Sequence, residues 1–187
     1  MVFVLFLQSA LTFAQQFTEQ TDIFLTGVGY SSVDLGDYDN DSDLDIFITG
    51  QHDGYHTKLY QNQCSTPNIK PDVINNLQTT ISGNDVIFSW DEATDANQPS
   101  AGLSYNLYVY ELGDTIFICS PMAFPQTNDT LNGKRLISRR GSIQGVRESG
   151  RISYTLKGVF EPCHQYKWSV QAIDASFEGG EFAPEQS

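Results

Sequence analysis

The fold of this chain is indicated by Asp37-Tyr38-Asp39-Asn40-Asp41-Ser42-Asp43-Leu44-Asp45, a run in which every second residue is an aspartate. In an extended chain, residues two apart point to the same side at a spacing of about 6.6 Å. Each neighbouring pair of carboxylates therefore repels by roughly 0.6 kcal/mol even in water, and curling of the backbone increases that repulsion. A divalent cation removes it. An oxygen-only, carboxylate-rich and pliable loop favours Ca²⁺ over Mg²⁺.

The residues after the run indicate the kind of loop it forms. Its order resembles the first half of an EF-hand loop, but Ser42 stands at the glycine position and Ile48 at the position of the final glutamate. The continuation through Gly50 is a β run, so we expect the loop to connect two strands. A solvated acidic turn is the alternative, although turn chemistry does not require strict alternation. The predicted ligands are the side chains of Asp37, Asp39, Asp41 and Asp45 and the main-chain carbonyl of Asp43.

The residues around the run carry a family resemblance. The sequence from Tyr30 to Gly50, followed by Lys58-Leu59-Tyr60-Gln61-Asn62, resembles one FG-GAP or VCBS repeat, the calcium-binding blade unit of integrin-α-like β-propellers. The resemblance covers about residues 17–63 and departs at Ser42, where the family usually has glycine. It implies Ca²⁺ as the cofactor and neighbouring repeats of a parent protein as partners.

Strand patterns in this repeat predict one four-stranded antiparallel sheet. One blade of this size cannot bury both of its faces, so we expect the chain to be a fragment of a longer repeat protein, or the sheet to pack on the next domain. The predicted strands lie around residues 23–25, 31–35, 44–49 and 58–61.

A second β pattern begins near Pro71. Apolar residues alternate with polar ones, which predicts short antiparallel strands packed as a sandwich. The predicted inward-facing sets are Val86, Phe88 and Trp90; Leu103, Tyr105, Leu107 and Val109; and Tyr166, Trp168, Val170 and Ala172.

The stretch from Leu156 to Asp174 resembles the E–F corner and F strand of a fibronectin type III domain. The resemblance implies that the Tyr166 hydroxyl bonds back to upstream backbone, and Trp90 matches the buried tryptophan of that family's B strand. It covers about residues 67–187 and departs in the long, basic segment 120–150. In this it resembles the elongated variant found beside FG-GAP repeats in exported bacterial surface proteins.

These patterns divide the chain into four parts. Residues 1–14 are apolar but too short to span a bilayer, and they predict a secretory signal, with an interior β segment as the alternative. Residues 17–63 form the repeat, 64–71 a proline-containing linker, and 72–187 the fibronectin III-like domain, whose final strand ends short. The net charge of −13 argues against nucleic acid as a partner.

Other reactive residues give weaker predictions. Three cysteines, Cys64, Cys119 and Cys163, leave open one disulfide with a free thiol or three buried thiols. Cys163 and His164 are adjacent, so in a strand they point to opposite faces and cannot share a proton. His52 and His56, with Cys64, have zinc-ligand chemistry, but the two histidines lie in a predicted glycine-containing hairpin turn.

The prediction is therefore an all-β, non-enzymatic module that is secreted or held at the cell surface, where it acts in adhesion or as a scaffold. Its expected partner is a protein or glycan at that surface. The alternative is a carbohydrate-binding or accessory region of a secreted polysaccharide-degrading enzyme. The basic stretch from Lys134 to Arg151 could meet an acidic polysaccharide, and outward-facing Tyr108 and Tyr110 could form a ligand platform, although coverage by a neighbouring domain is favoured.

Overall fold

A computed structural model describes residues 24–25, 27–39, 41, 43–66, 68–114, 117–121 and 139–187. Within these ranges the chain is all-β, as predicted, and its strands pair antiparallel. No helix in this part of the chain is long and apolar enough to cross a bilayer. The predicted signal segment 1–14 lies outside the described residues. The strands are β1 Gly29–Gly36, β2 Asp45–Gln51, β3 Tyr55–Tyr60, β4 Gln78–Ser82, β5 Asp85–Asp91, β6 Ser104–Glu111, β7 Phe117–Cys119, β8 Val146–Glu148, β9 Arg151–Lys157 and β10 Tyr166–Ile173, with a 3₁₀ turn at Ser100–Gly102.

Strands β1, β2 and β3 form a three-stranded sheet in chain order, which we call the N-terminal sheet. The β2–β3 hairpin turns at Asp53 and Gly54, both of which have positive φ. The four-stranded prediction is wrong for the described residues, because Phe24 and Leu25 lie outside any strand and Phe24 is 88% exposed. Ile23, the other residue of that predicted strand, lies outside the described residues.

The N-terminal sheet has apolar side chains on both faces. Val33 pairs with Ile48 on one face, and Phe47 pairs with Leu59 on the other. Val33 is 64% exposed and Phe47 is 43% exposed, so the described chain leaves apolar surface uncovered on each side. A two-faced apolar sheet of this kind needs further layers to bury its surface.

The remaining strands form what we call the C-terminal body. Its sheets have the orders β4-β5-β9-β8 and β10-β6-β7. A tail segment extends the second sheet, because Gly179 pairs with Ile173 and Gln186 pairs with Trp168 along the outer edge of β10. No strand is assigned between Tyr60 and Gln78 in the described residues, and the predicted linker lies in this interval. The division into domains stays a prediction.

The core of the C-terminal body lies between its two sheets. The predicted inward-facing sets are confirmed: Val86, Phe88 and Trp90 alternate with half-buried residues on β5, and the sets on β6 and β10 join them in one cluster. Edge-to-face aromatic contacts join the two sheets. Phe88 meets Trp168 with ring centroids 4.8 Å apart, and Trp90 meets Tyr105 at 5.4 Å.

The Tyr166 hydroxyl makes the backbone contact that its family resemblance implies. It accepts a hydrogen bond of 2.9 Å from the Glu161 N–H, and its ring packs edge-on against Phe160. The turn preceding β10 is therefore tied to the strand that it enters.

All three cysteines are free thiols. Cys64 and Cys163 are exposed, and Cys119 is half-buried. Neither predicted arrangement is found, since no disulfide joins any two of them and only one thiol is even partly covered. Burial raises the pKa of the Cys119 thiol above its ordinary value.

Asp174, just after β10, is a buried carboxylate that accepts hydrogen bonds from Asn68 Nδ2 and the Glu178 N–H. Burial raises the pKa of Asp174 above its ordinary 3.8, more than these hydrogen bonds lower it, and the charge of Asp95 raises it further. The folded state therefore holds this proton more tightly than the unfolded state. The resulting stabilisation is complete below pH 3.8 and is lost as the pH rises through the folded pKa.

We expect the stability of Asp174→Asn relative to the parent to be greater at pH 7 than near pH 4, because the neutral amide never incurs the desolvation of a charge that the parent incurs at pH 7. The amide NH₂ opposes one of the two donors that the carboxylate accepts from, and this cost is present at both pH values. Urea denaturation followed by tryptophan fluorescence measures both stabilities, with Asp114→Asn at an exposed turn as the control. A gap between parent and variant that does not change with pH would contradict the expectation.

Candidate metal centre

The acidic loop, residues 37–45, connects β1 to β2, as predicted. Strand β1 ends at Gly36, which pairs directly with Asp45 at the start of β2. The antiparallel pairing therefore brings the first and last aspartates of the loop to the same end of the hairpin. Asn40 and Ser42 lie outside the described residues.

Three carboxylates converge at this end of the sheet. Asp37, Asp39 and Asp45 each place one carboxylate oxygen within 4.8 Å of the others. Oxygen ligands surround Ca²⁺ at about 2.3–2.6 Å, so two ligands of one ion are at most about 5 Å apart. Asp45 is 1% exposed, whereas Asp37 and Asp39 are exposed. The group is thus a cluster of oxygens of calcium-binding size with one buried member and two that open to solvent.

Asp45 also anchors the loop to the sheet. Its Oδ2 accepts a hydrogen bond of 2.8 Å from the Tyr38 N–H, and its Oδ1 accepts one of 2.7 Å from the Asn62 N–H. One buried side chain therefore joins the start of the loop, the start of β2 and the segment after β3.

The other two predicted ligands have different surroundings. Asp41 Oδ1 accepts a hydrogen bond of 3.0 Å from the Asp43 N–H, which closes a local turn, and the Asp41 N–H donates to Asp37 Oδ1 at 3.0 Å. Asp43 is buried at 8% exposure. The structure does not bring the side chains of Asp41 and Asp43 into the three-carboxylate cluster.

Two residues at the site have no role in the sequence analysis. The Gln61 side-chain amide donates a hydrogen bond to Asp39 Oδ2. The Asn62 N–H donates to Asp45 Oδ1, and the Asn62 side-chain oxygen accepts a hydrogen bond from the Cys64 N–H. Both lie just after β3. Their presence beside the acidic run in the resemblance is the one signal that could have found them.

The histidine and cysteine candidates do not form a metal site among the described residues, where the three aspartates are the one group of suitable geometry. His56 Nε2 bonds to the His52 carbonyl oxygen, and the Cys64 thiol bonds to the Thr66 carbonyl. His164 Nδ1 pairs with Glu111 Oε1 at 2.7 Å. Each of these groups makes a local contact of its own.

The two outward-facing tyrosines are covered by the chain itself. Tyr108 packs against Phe117 and Phe182, and both tyrosine hydroxyls donate to Glu185 Oε1, at 2.9 Å from Tyr108 and 3.1 Å from Tyr110. Burial and the neighbouring Glu185 carboxylate raise the pKa of Tyr108. This face is therefore partly filled by the tail segment.

Much of the described basic stretch is also used internally. Arg140 donates to the Gly102 carbonyl at 2.9 Å, Arg147 pairs with Glu92, and Arg151 meets Asp91 at 2.6 Å. Arg140 and Arg147 thereby hold the end of the long segment to the 3₁₀ turn and to Glu92, and Arg151 holds the start of β9 to the end of β5. Lys134 and Arg135 lie outside the described residues.

Comparison with known proteins leaves the family open. No protein-family model matches the chain, and no curated protein matches it. Among solved structures, it is similar to the spore cortex lytic enzyme SleM of Clostridium perfringens, with 14% sequence identity and a TM-score of 0.36. The alignment covers 73% of this chain and 35% of that enzyme, so the chain spans about a third of its length. Similarity at this level does not define a shared fold.

Proposed function

We propose that this chain is a calcium-stabilised, non-enzymatic module of an exported protein, which acts in adhesion or as a scaffold at the cell surface. The observation that carries the proposal is that carboxylate oxygens of Asp37, Asp39 and Asp45 lie within 4.8 Å of one another at the loop end of the β1–β2 hairpin. Carboxylates so close together repel one another, and a divalent ion turns that repulsion into attraction.

The ion's role in this proposal is structural. Asp45 already uses both of its oxygens on backbone N–H groups, so an ion beside it would link the loop to β2 and to Asn62. Calcium would thereby stiffen the connection between the first two strands and the chain that leaves the sheet. Ca²⁺ supplies no chemistry here beyond charge neutralisation and cross-linking of oxygens.

We assign the N-terminal sheet to an FG-GAP or VCBS blade. Support comes from the position of the acidic loop between two antiparallel strands and from the apolar residues on both faces, of which Val33 and Phe47 are the clearest. A blade in a propeller has a neighbouring sheet on each face. Further repeats of the same parent protein are the partners that fit these two faces.

We assign the C-terminal body to the fibronectin III-like group of immunoglobulin-type sandwiches. Labelled A to F in chain order, with β7 as C′, its strands form the sheets A-B-E-D and C′-C-F, and the tail segment takes the place of G. Buried Trp90 on the B strand and the hydrogen bond from the Glu161 N–H to Tyr166 add to this support. Such sandwiches serve as spacers and binding modules in many surface proteins.

Calcium titration tests the proposal directly. We expect isothermal titration calorimetry to show saturable binding of Ca²⁺ to the full chain, and we expect Asp37→Asn/Asp39→Asn to lose it, because two of three converging carboxylates become neutral. Chelation with EGTA should lower the melting temperature of the N-terminal sheet. The tryptophan transition should not move, since Trp90 and Trp168, the two tryptophans of the chain, both lie in the C-terminal core.

The matched control is Asp53→Asn in the same sheet. Asp53 lies in the β2–β3 turn at φ 52°, a conformation that asparagine tolerates, and it makes no part of the carboxylate cluster. This variant removes one carboxylate charge, against two in the test variant, without touching the acidic loop, so it should bind calcium like the parent. Calcium binding that survives in Asp37→Asn/Asp39→Asn, or an EGTA trace identical to the calcium trace, would count against the proposal.

A further inference from the structure

The second half of the predicted linker is fixed to the C-terminal body. The Asn68 side-chain amide donates to Asp174 Oδ2 at 2.6 Å, and the Ile69 N–H donates to Asn97 Oδ1 at 2.8 Å. Pro71 is buried. Asp174 follows β10 and Asn97 lies between β5 and β6, so two loops of the body hold this stretch. From Asn68 onward the chain is therefore part of the C-terminal body.

The start of the predicted linker is tied to the three-carboxylate cluster instead. Asp45 Oδ1 accepts a hydrogen bond of 2.7 Å from the Asn62 N–H, and Asn62 Oδ1 accepts one of 3.1 Å from the Cys64 N–H. Asp45 is the buried member of the cluster. A carboxylate oxygen has two lone pairs, so Oδ1 can accept from Asn62 and contact a cation at the same time. One side chain thus faces both the cluster and the chain that leaves the sheet.

Only a short interval separates these two anchored parts, and we call it the hinge. Three chain positions lie between Cys64 and Asn68, a length that spans about 10 Å when fully extended. Among the described residues, no strand of the N-terminal sheet contacts a strand of the C-terminal body. In this part of the chain, the hinge is therefore what joins the sheet to the body.

We propose that calcium at the acidic loop orders the hinge and thereby fixes the orientation of the C-terminal body relative to the N-terminal sheet. This inference rests on the calcium proposal above. Without an ion, repulsion among the three carboxylates favours a wider loop and weakens the hold of Asp45 on the Asn62 N–H. With an ion, Asp45 stays in place, and Cys64 stays attached to it through Asn62. A body held in one orientation loses less freedom when it binds a partner.

Distances between two spin labels test the hinge. The full chain carries Tyr55→Cys at the start of β3 and Val146→Cys on β8, where the parent residues are 94% and 65% exposed, and serine replaces the three native cysteines. We expect double electron–electron resonance to give a broad distance distribution in EGTA and a narrower one in saturating calcium. Equal widths, with calcium binding seen by titration calorimetry, would overturn the hinge and leave the calcium proposal standing. Absence of calcium binding would overturn both.

Hydrogen exchange separates an ordered hinge from a folded sheet. Under the calcium proposal, chelation lowers the stability of the N-terminal sheet, and an unfolded sheet would also give a broad distribution. The samples are therefore frozen from a temperature at which the β2 amides are protected in EGTA. Narrowing by calcium, with protected β2 amides in both solutions, supports the hinge. Narrowing seen only where the β2 amides exchange freely in EGTA would attribute the effect to unfolding and rule the hinge out.

Two asparagines on the side of the body localise the effect. Asn68→Ala/Asn97→Ala removes both side-chain contacts at the far end of the hinge and leaves the acidic loop unchanged, so calcium should bind as in the parent while the narrowing is lost. Asn75→Ala/Asn84→Ala is the matched control, because both asparagines are exposed in the same body and the Asn75 side chain bonds only to the nearby Val73 carbonyl. This control should keep the narrowing. Narrowing that survives in the first pair, or is lost in both pairs, would contradict the hinge.

Discussion

Asp45→Ala is expected to unfold the N-terminal sheet and to abolish calcium binding. The substitution removes a 1% exposed carboxylate and leaves the Tyr38 and Asn62 N–H groups without their acceptor. Hydrogen bonds to a charged acceptor contribute about 1.5–3 kcal/mol each, so the loss of both is expected to cost about 3 kcal/mol or more. A three-stranded sheet with uncovered faces has little stability to spare.

Hydrogen exchange of the β2 amides measures this loss, and tryptophan fluorescence should stay unchanged because it reports the other body. Asp45→Asn should fall between parent and alanine, since an amide oxygen can accept from one N–H while its NH₂ opposes the other. Asp34→Ala is the control, because Asp34 is exposed and its carboxylate accepts a hydrogen bond from the N–H of Leu35, its neighbour in the chain. Protected β2 amides in Asp45→Ala would show that the loop is held by other contacts.

Trp90→Ala is expected to destabilise the C-terminal body by about 4 kcal/mol, the usual cost of truncating a large aromatic core residue. Trp90 is fully buried and touches both Tyr105 and Trp168 through its ring. Its removal leaves a cavity at the centre of the cluster, between the two sheets. Urea denaturation with Trp168 as the fluorescent reporter measures the change in the free energy of unfolding.

Trp90→Phe separates ring packing from the indole N–H. In the described residues, Trp90 Nε1 is buried without a hydrogen-bond partner, and an unpaired buried donor carries a desolvation cost. Phenylalanine removes that donor and keeps most of the aromatic surface, so we expect a loss well below half of the alanine effect. Losses of equal size in both variants would mean that the pyrrole half of the indole provides the contact that matters.

The parts of the fold that the sequence predicted well are those in which apolar and polar residues alternate along a strand. Alternation of apolar residues identifies the inward face of a strand wherever one face is buried, and Phe88, Leu107 and Val170 all lie in the core as that pattern predicts. The same reasoning failed for Phe24 and Leu25, because a few apolar residues specify a strand only when a neighbour pairs with them. Phe24 and Leu25 have no such ladder in the described chain.

In the acidic loop, too, some features were predictable from the sequence and others were not. The position of the loop between two strands was predictable from the β run after Asp45, and the convergence of Asp37 and Asp45 results from antiparallel pairing. The contributions of Gln61 and Asn62 could not be predicted from spacing, because they reach the loop across the sheet from the far end of β3. Nor does alternation reveal that Asp41 closes a local turn, since the backbone of a curled loop departs from the extended geometry that alternation assumes.

The return of the chain at Gly141 has a consequence for which substitutions this protein tolerates. A side chain at Gly141 would lie 2.2 Å from the Tyr105 carbonyl oxygen, so only glycine permits the approach at which the Gly141 N–H donates to Ser104 Oγ and Ile143 bridges to Tyr105. A larger residue at this position would have to push one backbone away from the other in a closely packed interior. We therefore expect a saturation library at position 141 to retain glycine alone among its stable members.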